Sequence, residues 1–313
     1  MTILVDFSQI FLAPIFVDSA AKSCAQNPSK QSRDMMLHFA VNSVRATQLI
    51  HKKNYGNVVI ACDEHSWRHE VFPQYKWSRK EKRKTDESGI DWAFVGETGT
   101  YIKEMLQKHF PYIVISTKRA EADDIIGSLV RHISSLSSDE ENMFGETESE
   151  KILINSSDKD NFQLHRYSNV KQWSPLTKKL VKPDIKPEHA LIEKIVTGDA
   201  GDGIPSIKCH DDWFVNHVKG QTRAPSISQK YLQTFFASKN PIDACLTEQE
   251  RVHYQRNERL VSYEHTPKEI DKAIIEVYNN EIDKLKTHSK MKLMSFLAEN
   301  KMNVLYSKIG DFY

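Results

Sequence analysis

Cysteine is scarce in this chain, with four residues at positions 24, 62, 209 and 245 and no Cys-x-x-Cys spacing among them. That argues against a disulfide framework and against a thiolate zinc site, and it makes a reduced compartment the default. An excess of either charge is also missing: 43 Lys and Arg face 42 Asp and Glu. Net charge therefore points to no partner, and only its distribution can. Long apolar runs are absent too. The N-terminal stretch ILVDFSQIFLAPIFV is broken by Asp6 and is preceded by no Lys or Arg, unlike a signal peptide. No run approaches the roughly 18 residues of a membrane helix. A cytoplasmic protein with no membrane association is expected, and the glycosylation sequon Asn155-Ser156-Ser157 then carries no meaning. There is no internal repeat and no long low-complexity tract.

What is present suffices for one large domain or two modest ones: 313 residues, 39% apolar and 27% charged. Short β-branched runs alternate with helical patterns: ILV at 3–5, VVIAC at 58–62, YIVIS at 112–116 and KILIN at 151–155. This pattern predicts parallel strands of an α/β sheet. Between the first two, Leu37, Val41, Val44 and Ile50 fall on one helical face, with Gly56 as a stop. Helices are expected again at 98–109 and 122–136. From about 187 the strand runs cease and helical patterns dominate. The expected organisation is an α/β part over 1–186 and a helical part over 187–313.

Charge is unevenly placed. KWSRKEKRK, from Lys76 to Lys84, holds six basic residues and one acid, whereas Ser138–Glu150 holds six acids and no base. The acidic stretch lies between a helix and a strand and reads as a solvated insertion.

Ligands of open parallel sheets bind beyond the carboxyl ends of the strands. Acids sit at each such end here. Asp6 follows ILV, Asp63 follows VVIAC, and Asp158 and Asp160 follow KILIN. Glu121, Asp123 and Asp124 open the helix after YIVIS. Singly, each has a bland explanation as a turn, cap or helix-start residue. Jointly they would repel one another in a partly desolvated cleft, so cations must offset them. With no His or Cys cluster beside these ends, a hard, oxygen-ligated divalent ion such as magnesium fits better than zinc. GDAGDGIPS, at 198–206, adds Asp199 and Asp202, which a loop from the helical part can bring over the same rim to complete a second position. Two ions roughly 4 Å apart are the standard apparatus of phosphodiester hydrolysis.

These words, ILVDFSQI, ACDEHSWR with QYKWSRK after it, EADDIIG, SSDKDN, QWSP and TGDAGDGIPS, occur in order over residues 3–206. Together they resemble the structure-specific 5′ nucleases, the flap endonuclease family. The resemblance implies a mostly parallel sheet flanked by helices, and a helical C-terminal part containing a helix-three-turn-helix-like element that grips duplex DNA. It implies Asp6, Asp63, Asp123 and Asp158 as ligands of one magnesium ion and Asp160, Asp199 and Asp202 as ligands of a second, with manganese able to substitute. Glu121 would orient metal-bound water. It further implies a magnesium-dependent 5′ to 3′ exonuclease and flap endonuclease acting in replication, with RNA primers in RNA-DNA hybrids and 5′ ends or flaps of duplex DNA as substrates. A single-strand binding protein and a sliding clamp are the further partners suggested, and the chain is expected to be a monomer. Two departures stand out: Gly203 occupies the position of the family's Asn, and Ser206 that of its Gly. They put the monovalent-ion site and the backbone-amide grip in question, and Lys208, Lys219 and Arg223 are offered as side-chain substitutes.

The family's corresponding segment forms a gateway over the active site, here about 66–90. Lys76 and Arg79 match its phosphate-gripping pair, with Arg68 as a third. Trp67, Phe72, Tyr75 and Trp77 interleave with the basic residues in a way that suits stacking on unpaired bases, and the segment is expected to order around a single strand. Three other readings stay open: a nucleic-acid-binding module without catalysis, a PIN-like metal-dependent endoribonuclease, and a DxD-type phosphatase or glycosyltransferase. The tail YSKIGDFY suits either a clamp-binding peptide or a helix end packed on the body.

Overall fold

The computed structural model describes residues 1–136, 150–216 and 223–313. The chain opens with β1 (Thr2–Asp6), three short helices α1 (Phe7–Phe11), α2 (Ala13–Val17) and α3 (Ser19–Gln26), the long α4 (Lys30–Tyr55) and β2 (Asn57–Cys62). Next come α5 (Arg68–Val71), α6 (Trp77–Lys84), α7 (Trp92–His109), β3 (Ile113–Ser116), α8 (Ala122–Leu136) and β4 (Ile152–Asn155). A 3-10 helix (Lys159–Arg166) leads to β5 (Val170–Ser174) and β6 (Lys179–Leu180). The remainder is helical: α9 (Pro187–Thr197), α10 (Trp213–Asn216), α11 (Gln229–Ala237), α12 (Glu248–Val261), α13 (Lys268–Lys286), α14 (Lys290–Glu299) and α15 (Asn303–Ser307).

The sheet runs β3-β2-β1-β4-β5-β6, parallel throughout except for the antiparallel β5–β6 pair. Strand order reverses between β1 and β4, and such a switch point opens a crevice at the strand ends. Alternate residues of β1 supply opposite faces. Ile3 and Val5 join a core with α4, α7 and α14, while Leu4 joins one with α8 and α13. Both faces are thus covered, which is why the strands read as continuous apolar runs. Helix α4 ends at Gly56, whose φ of 73° places it in the left-handed region.

The helical region divides in two. Residues of α9, α11 and α12 form a separate cluster with Ile204 and Ile207 of the intervening loop and Phe72 and Tyr75 of the gateway. By contrast, Ile270 and Ile274 of α13, Leu293 and Leu297 of α14, and Phe312 complete the two sheet cores. The last 50 or so residues therefore belong physically to the α/β layers rather than to a second unit, because the sheet faces would otherwise lie bare. The tail follows suit: Phe312 is buried, Arg45 pairs with Asp311, and Gln48 donates to the Phe312 carbonyl at 3.0 Å. Of the two readings of YSKIGDFY, the packed end is the one adopted.

Three sequence expectations need correction. Ile50 is exposed, since it lies off the buried stripe that Leu37, Val41 and Val44 define. Helix α7 begins at Trp92, capped by the Asp91 carboxylate, six residues earlier than expected. Strands β5 and β6 escaped the pattern because the buried side of β5 is partly polar, with Gln172 and Ser174 inward. The acidic stretch lies outside the described residues except for Glu150, which meets the N-terminal amine. Lys219 also lies outside them.

Candidate metal centre and nucleic-acid interface

The carboxyl ends of β1, β2 and β4 and the start of α8 deliver their acids to the crevice. Asp6 caps α1 by accepting from Ser8 N at 2.7 Å. Asp63 accepts from Ala122 N at 2.9 Å and from Ser8 Oγ at 2.8 Å, which ties the end of β2 to both α8 and α1. Asp158 caps the 3-10 helix through Asp160 N at 2.9 Å.

Two groupings emerge. Carboxylate oxygens of Asp123, Asp158 and Asp160 lie within 4.8 Å of one another, and so do those of Asp160, Asp199 and Asp202. Asp160 is common to both, whereas the sequence reading gave it to the second position alone. Asp6 joins the first group electrostatically: burial, then Asp63, with Asp158 adding to them, push its pKa up to about 7. Burial followed by Asp158, Asp160 and Asp6 raises Asp123 well above the usual carboxylate range. Asp160 rises to about 6, burial and its acidic neighbours outweighing Lys194.

The crevice therefore holds more negative charge than its own cations balance. An all-oxygen donor set of this kind matches a hard divalent cation, and neither grouping contains His or Cys.

The acidic loop after α9 is shaped by two tight approaches. Asp199 and Ile204 exchange backbone hydrogen bonds of 2.7 Å in each direction. Gly198, at φ 73°, sits where a Cβ would come within 2.3 Å of the Ile204 carbonyl oxygen, so no side chain fits. Within the loop, Asp199 accepts from Gly201 N at 2.7 Å. Asn257 holds the far side by donating to the Ile195 and Pro205 carbonyls at 2.7 and 2.8 Å.

The gateway is fastened to this loop. Lys76 N donates to the Asp202 carbonyl at 2.7 Å, with Lys76 itself in the left-handed region at φ 54°. A non-glycine residue there is strained, and such strain collects at functional sites. Lys76 Nζ contacts Glu121 and lies 4.0 Å from Asp202, and Arg79 pairs with Asp202. Tyr75 OH lies 2.9 Å from a carboxylate oxygen of both Glu121 and Asp202 and donates its one proton between them.

Sequence comparison is consistent with this geometry. The family profile described as "5'-3' exonuclease, N-terminal resolvase-like domain" matches residues 20–195, and the one described as "T4 RNase H, C terminal" matches residues 186–312. Ribonuclease H of Enterobacteria phage T4 is 32% identical over 316 aligned residues, spanning 99% of this chain and 95% of that protein.

The chain belongs to the 5′–3′ exonuclease family.

Solved structures share its fold. A phage T5 D15 flap endonuclease variant in a pseudo-enzyme-product complex with DNA and metal ions superposes with a TM-score of 0.60, at 14% identity and over 91% of this chain and all of the other. The T5 5′-exonuclease with bound zinc gives 0.55, at 18% identity and over 92% and 98% of the two chains.

Two sequence expectations about the segment 66–90 are overturned. Arg68 is not free to grip phosphate: it is 3% exposed, and its guanidinium donates to Asp124 and Glu121 at 2.9 Å and to the Leu260 carbonyl at 2.7 Å. Trp67, Phe72 and Tyr75 are likewise buried at 2–3% exposure, so they are core residues rather than stacking platforms. The first half of the gateway is thereby locked to the body, and only α6 and the turn after it are largely exposed. Glu121 meets Ser66, Arg68, Tyr75 and Lys76 at its two oxygens. It anchors the base of the gateway here. Although burial opposes it, the charges of Lys76 and Arg68 hold its pKa down to about 2.

One member of the site was missed, and another, Asp124, was named without its role. Asp124, fully buried, takes Arg68 and caps the turn through Glu121 N at 2.9 Å. Lys194, in the last turns of α9, reaches Asp160 and lies 2.8 Å from Asp199 Oδ2. Only its position five residues before Asp199 could have flagged it. Lys208, proposed for the backbone grip, lies over the Tyr231 ring at 4.7 Å.

Proposed function

We propose that this chain is a magnesium-dependent 5′ nuclease that hydrolyses RNA primers in RNA-DNA hybrids and 5′ ends or flaps of duplex DNA during replication. The observation that carries the reading is the grouping of five aspartates, Asp123, Asp158, Asp160, Asp199 and Asp202, with Asp6 and Asp63 coupled to them by charge, in one crevice that its own cations leave under-neutralised. Family membership and the phosphate-seeking charge of α6 support it.

Asp123, Asp158 and Asp160, with Asp6 and Asp63 beside them, would hold one ion, and Asp160, Asp199 and Asp202 the other. When bound, such ions supply charge neutralisation at the phosphodiester and acidity toward the attacking water. The chain's own groups do the rest. Lys76 and Arg79, gathered by Glu121 and Asp202, present positive charge beside the crevice, where it counts most as negative charge develops on the phosphate. The exposed basic residues of α6 draw in the strand by counterion release. The Asp63–Ser8 and Asp63–Ala122 bonds hold one acid in place before any substrate arrives.

A digest of a 5′-labelled flap and of an RNA-DNA hybrid, each with and without magnesium, tests the reading. Cleavage of both only with the ion is the expected result, and cleavage of single-stranded RNA alone would favour the PIN-like endoribonuclease instead.

A further inference from the structure

Asp123 stands apart from the other aspartates of the crevice. Asp6, Asp63, Asp158, Asp160, Asp199 and Asp202 each accept at least one hydrogen bond, from a backbone amide, a hydroxyl or a cation. The Asp123 carboxylate accepts none among the described residues, and only burial and its acidic neighbours act to raise it. Carboxylates that ligate metals are normally held by a donor of their own, which fixes the direction of the oxygens left for the ion. Asp123 lacks such a donor.

A donor without an acceptor lies buried beside it. Tyr263, two residues beyond the end of α12, is 3% exposed, and its hydroxyl has no partner among the described residues. Phenylalanine would fill the same space without burying an unpaired hydroxyl, so the oxygen needs a reason. The backbone here is clamped: Tyr263 N donates to Gln163 at 3.0 Å, and its carbonyl accepts from Arg131 at 2.7 Å and from Thr266 Oγ1 at 3.0 Å. The side chain is clamped too. A Cβ on Gly127 would come within 2.9 Å of the Tyr263 Cβ and 3.0 Å of its ring, so glycine in the interior of α8, against helix propensity, makes room for this ring. Gly127 lies four residues after Asp123, on the same helical face and about one turn along. Charge reports the same proximity. After burial, Asp123 is the group that most raises the phenol pKa, ahead of Asp160 and Asp158, and the shift keeps the hydroxyl a donor.

We propose that Tyr263 is a positioning residue for the ion held by Asp123, Asp158 and Asp160, its hydroxyl donating to the Asp123 carboxylate as that carboxylate takes up the ion. Donor and acceptor are otherwise unpaired, so one bond satisfies both and favours loading. The inference rests on the metal-binding reading above and adds to it a residue from the helical region that touches no substrate.

The test uses the full-length chain, magnesium as the only added ligand, and Tyr263→Phe, which removes the hydroxyl and keeps the ring. In EDTA its melting temperature should equal or exceed that of wild type, because an unpaired buried hydroxyl is lost. In calorimetry one of two magnesium-binding events should weaken by about tenfold or more while the other is unchanged. Tyr278→Phe, which removes a phenol from the same core beside α13, should leave both events as they are. A purely structural role would give the reverse pattern, a lower melting temperature in EDTA with unchanged magnesium affinity, and would overturn the proposal. A second measurement needs no variant of altered fold: with tyrosine labelled with carbon-13 at Cζ, the resonance assigned by its absence from Tyr263→Phe should shift as magnesium fills the affected event. A resonance that magnesium leaves unmoved would also overturn the proposal. Wild type separates the two readings. Equal magnesium affinity in wild type and Tyr263→Phe defeats the role of Tyr263 alone, whereas a wild type that binds no magnesium defeats the metal-binding reading and this inference with it.

Discussion

Two sets of carboxylates stand side by side at the start of α8, and the chain treats them oppositely. Glu121 and Asp124 face Arg68, Lys76, Ser66 and Tyr75, and these partners hold Glu121 down to about 2. Asp123, between them in sequence, faces Asp158, Asp160 and Asp6 and is pushed well up. Adjacent residues on one helix thus serve two ends. The first set is closed by the protein's own cations and holds the gateway in place. The second is left short of positive charge, which only a ligand can supply.

The largest effect should come from the open set. Asp158→Asn should abolish measurable cleavage of a labelled flap while leaving DNA affinity unchanged or tighter, because it removes charge at the crevice without touching α6. Loss of binding with retained cleavage would reverse the roles assigned here.

The closed set should respond in stability instead. Arg68→Met leaves Asp124 and Glu121 buried without their main partner, and removing one member of a buried pair costs about 3–5 kcal/mol. Urea denaturation measures it, and a loss under about 1 kcal/mol would mean that the network contributes little.

Between these extremes lie Asp199 and Asp202, which Lys194 and Arg79 already partly neutralise. Replacing both with Asn should weaken one of two magnesium-binding events in calorimetry and slow turnover, while the other event persists. An unchanged two-event titration would remove them from the metal centre.

The smallest effect should come from exposed α6. Lys82→Ala with Lys84→Ala should weaken DNA binding modestly and flatten its logarithmic salt dependence by about 2. Arg79→Ala should instead lower the single-turnover rate at saturating DNA. If all three act on affinity alone, α6 is a tether and no part of the site.

The sequence made the open set legible and hid the closed one. Asp6, Asp63 and Asp158 could be read because each directly follows a β-branched run, and strand ends share an edge. Asp199 and Asp202 could be read because one acid is all a turn requires. Nothing local distinguished Asp123 from Asp124, whose partner Arg68 is supplied by a segment 56 residues away. The gateway aromatics were misread for a related reason. Interleaved rings and cations look alike whether the rings face bases or a core, and Phe72 and Tyr75 are buried by α9, α11 and α12, more than 100 residues downstream. Much of the fold followed from period and strand order. The distribution of α13 and α14 over the two sheet faces did not, because an amphipathic helix does not name the surface it covers.

The contrast between the sets makes a direct thermodynamic statement. Asp6 has its folded pKa raised to about 7 from 3.8, so the folded state binds extra protons between those values and stability falls as pH rises through that window. Glu121 is lowered to about 2 from 4.5, so its contribution is present above about 4.5 and is lost as pH falls toward 2. Thermal melts across pH 3–8, with EDTA and with magnesium, therefore test the central claim most directly. With EDTA, stability should peak near pH 5 and decline toward pH 8. Magnesium should restore the loss at pH 8, by about 2.7 kcal/mol at a hundredfold excess over its dissociation constant, and Asp158→Asn should blunt both effects. A flat profile from pH 5 to 8 with EDTA, together with no stabilisation by magnesium at pH 8, would contradict the claim that this crevice is built short of a cation.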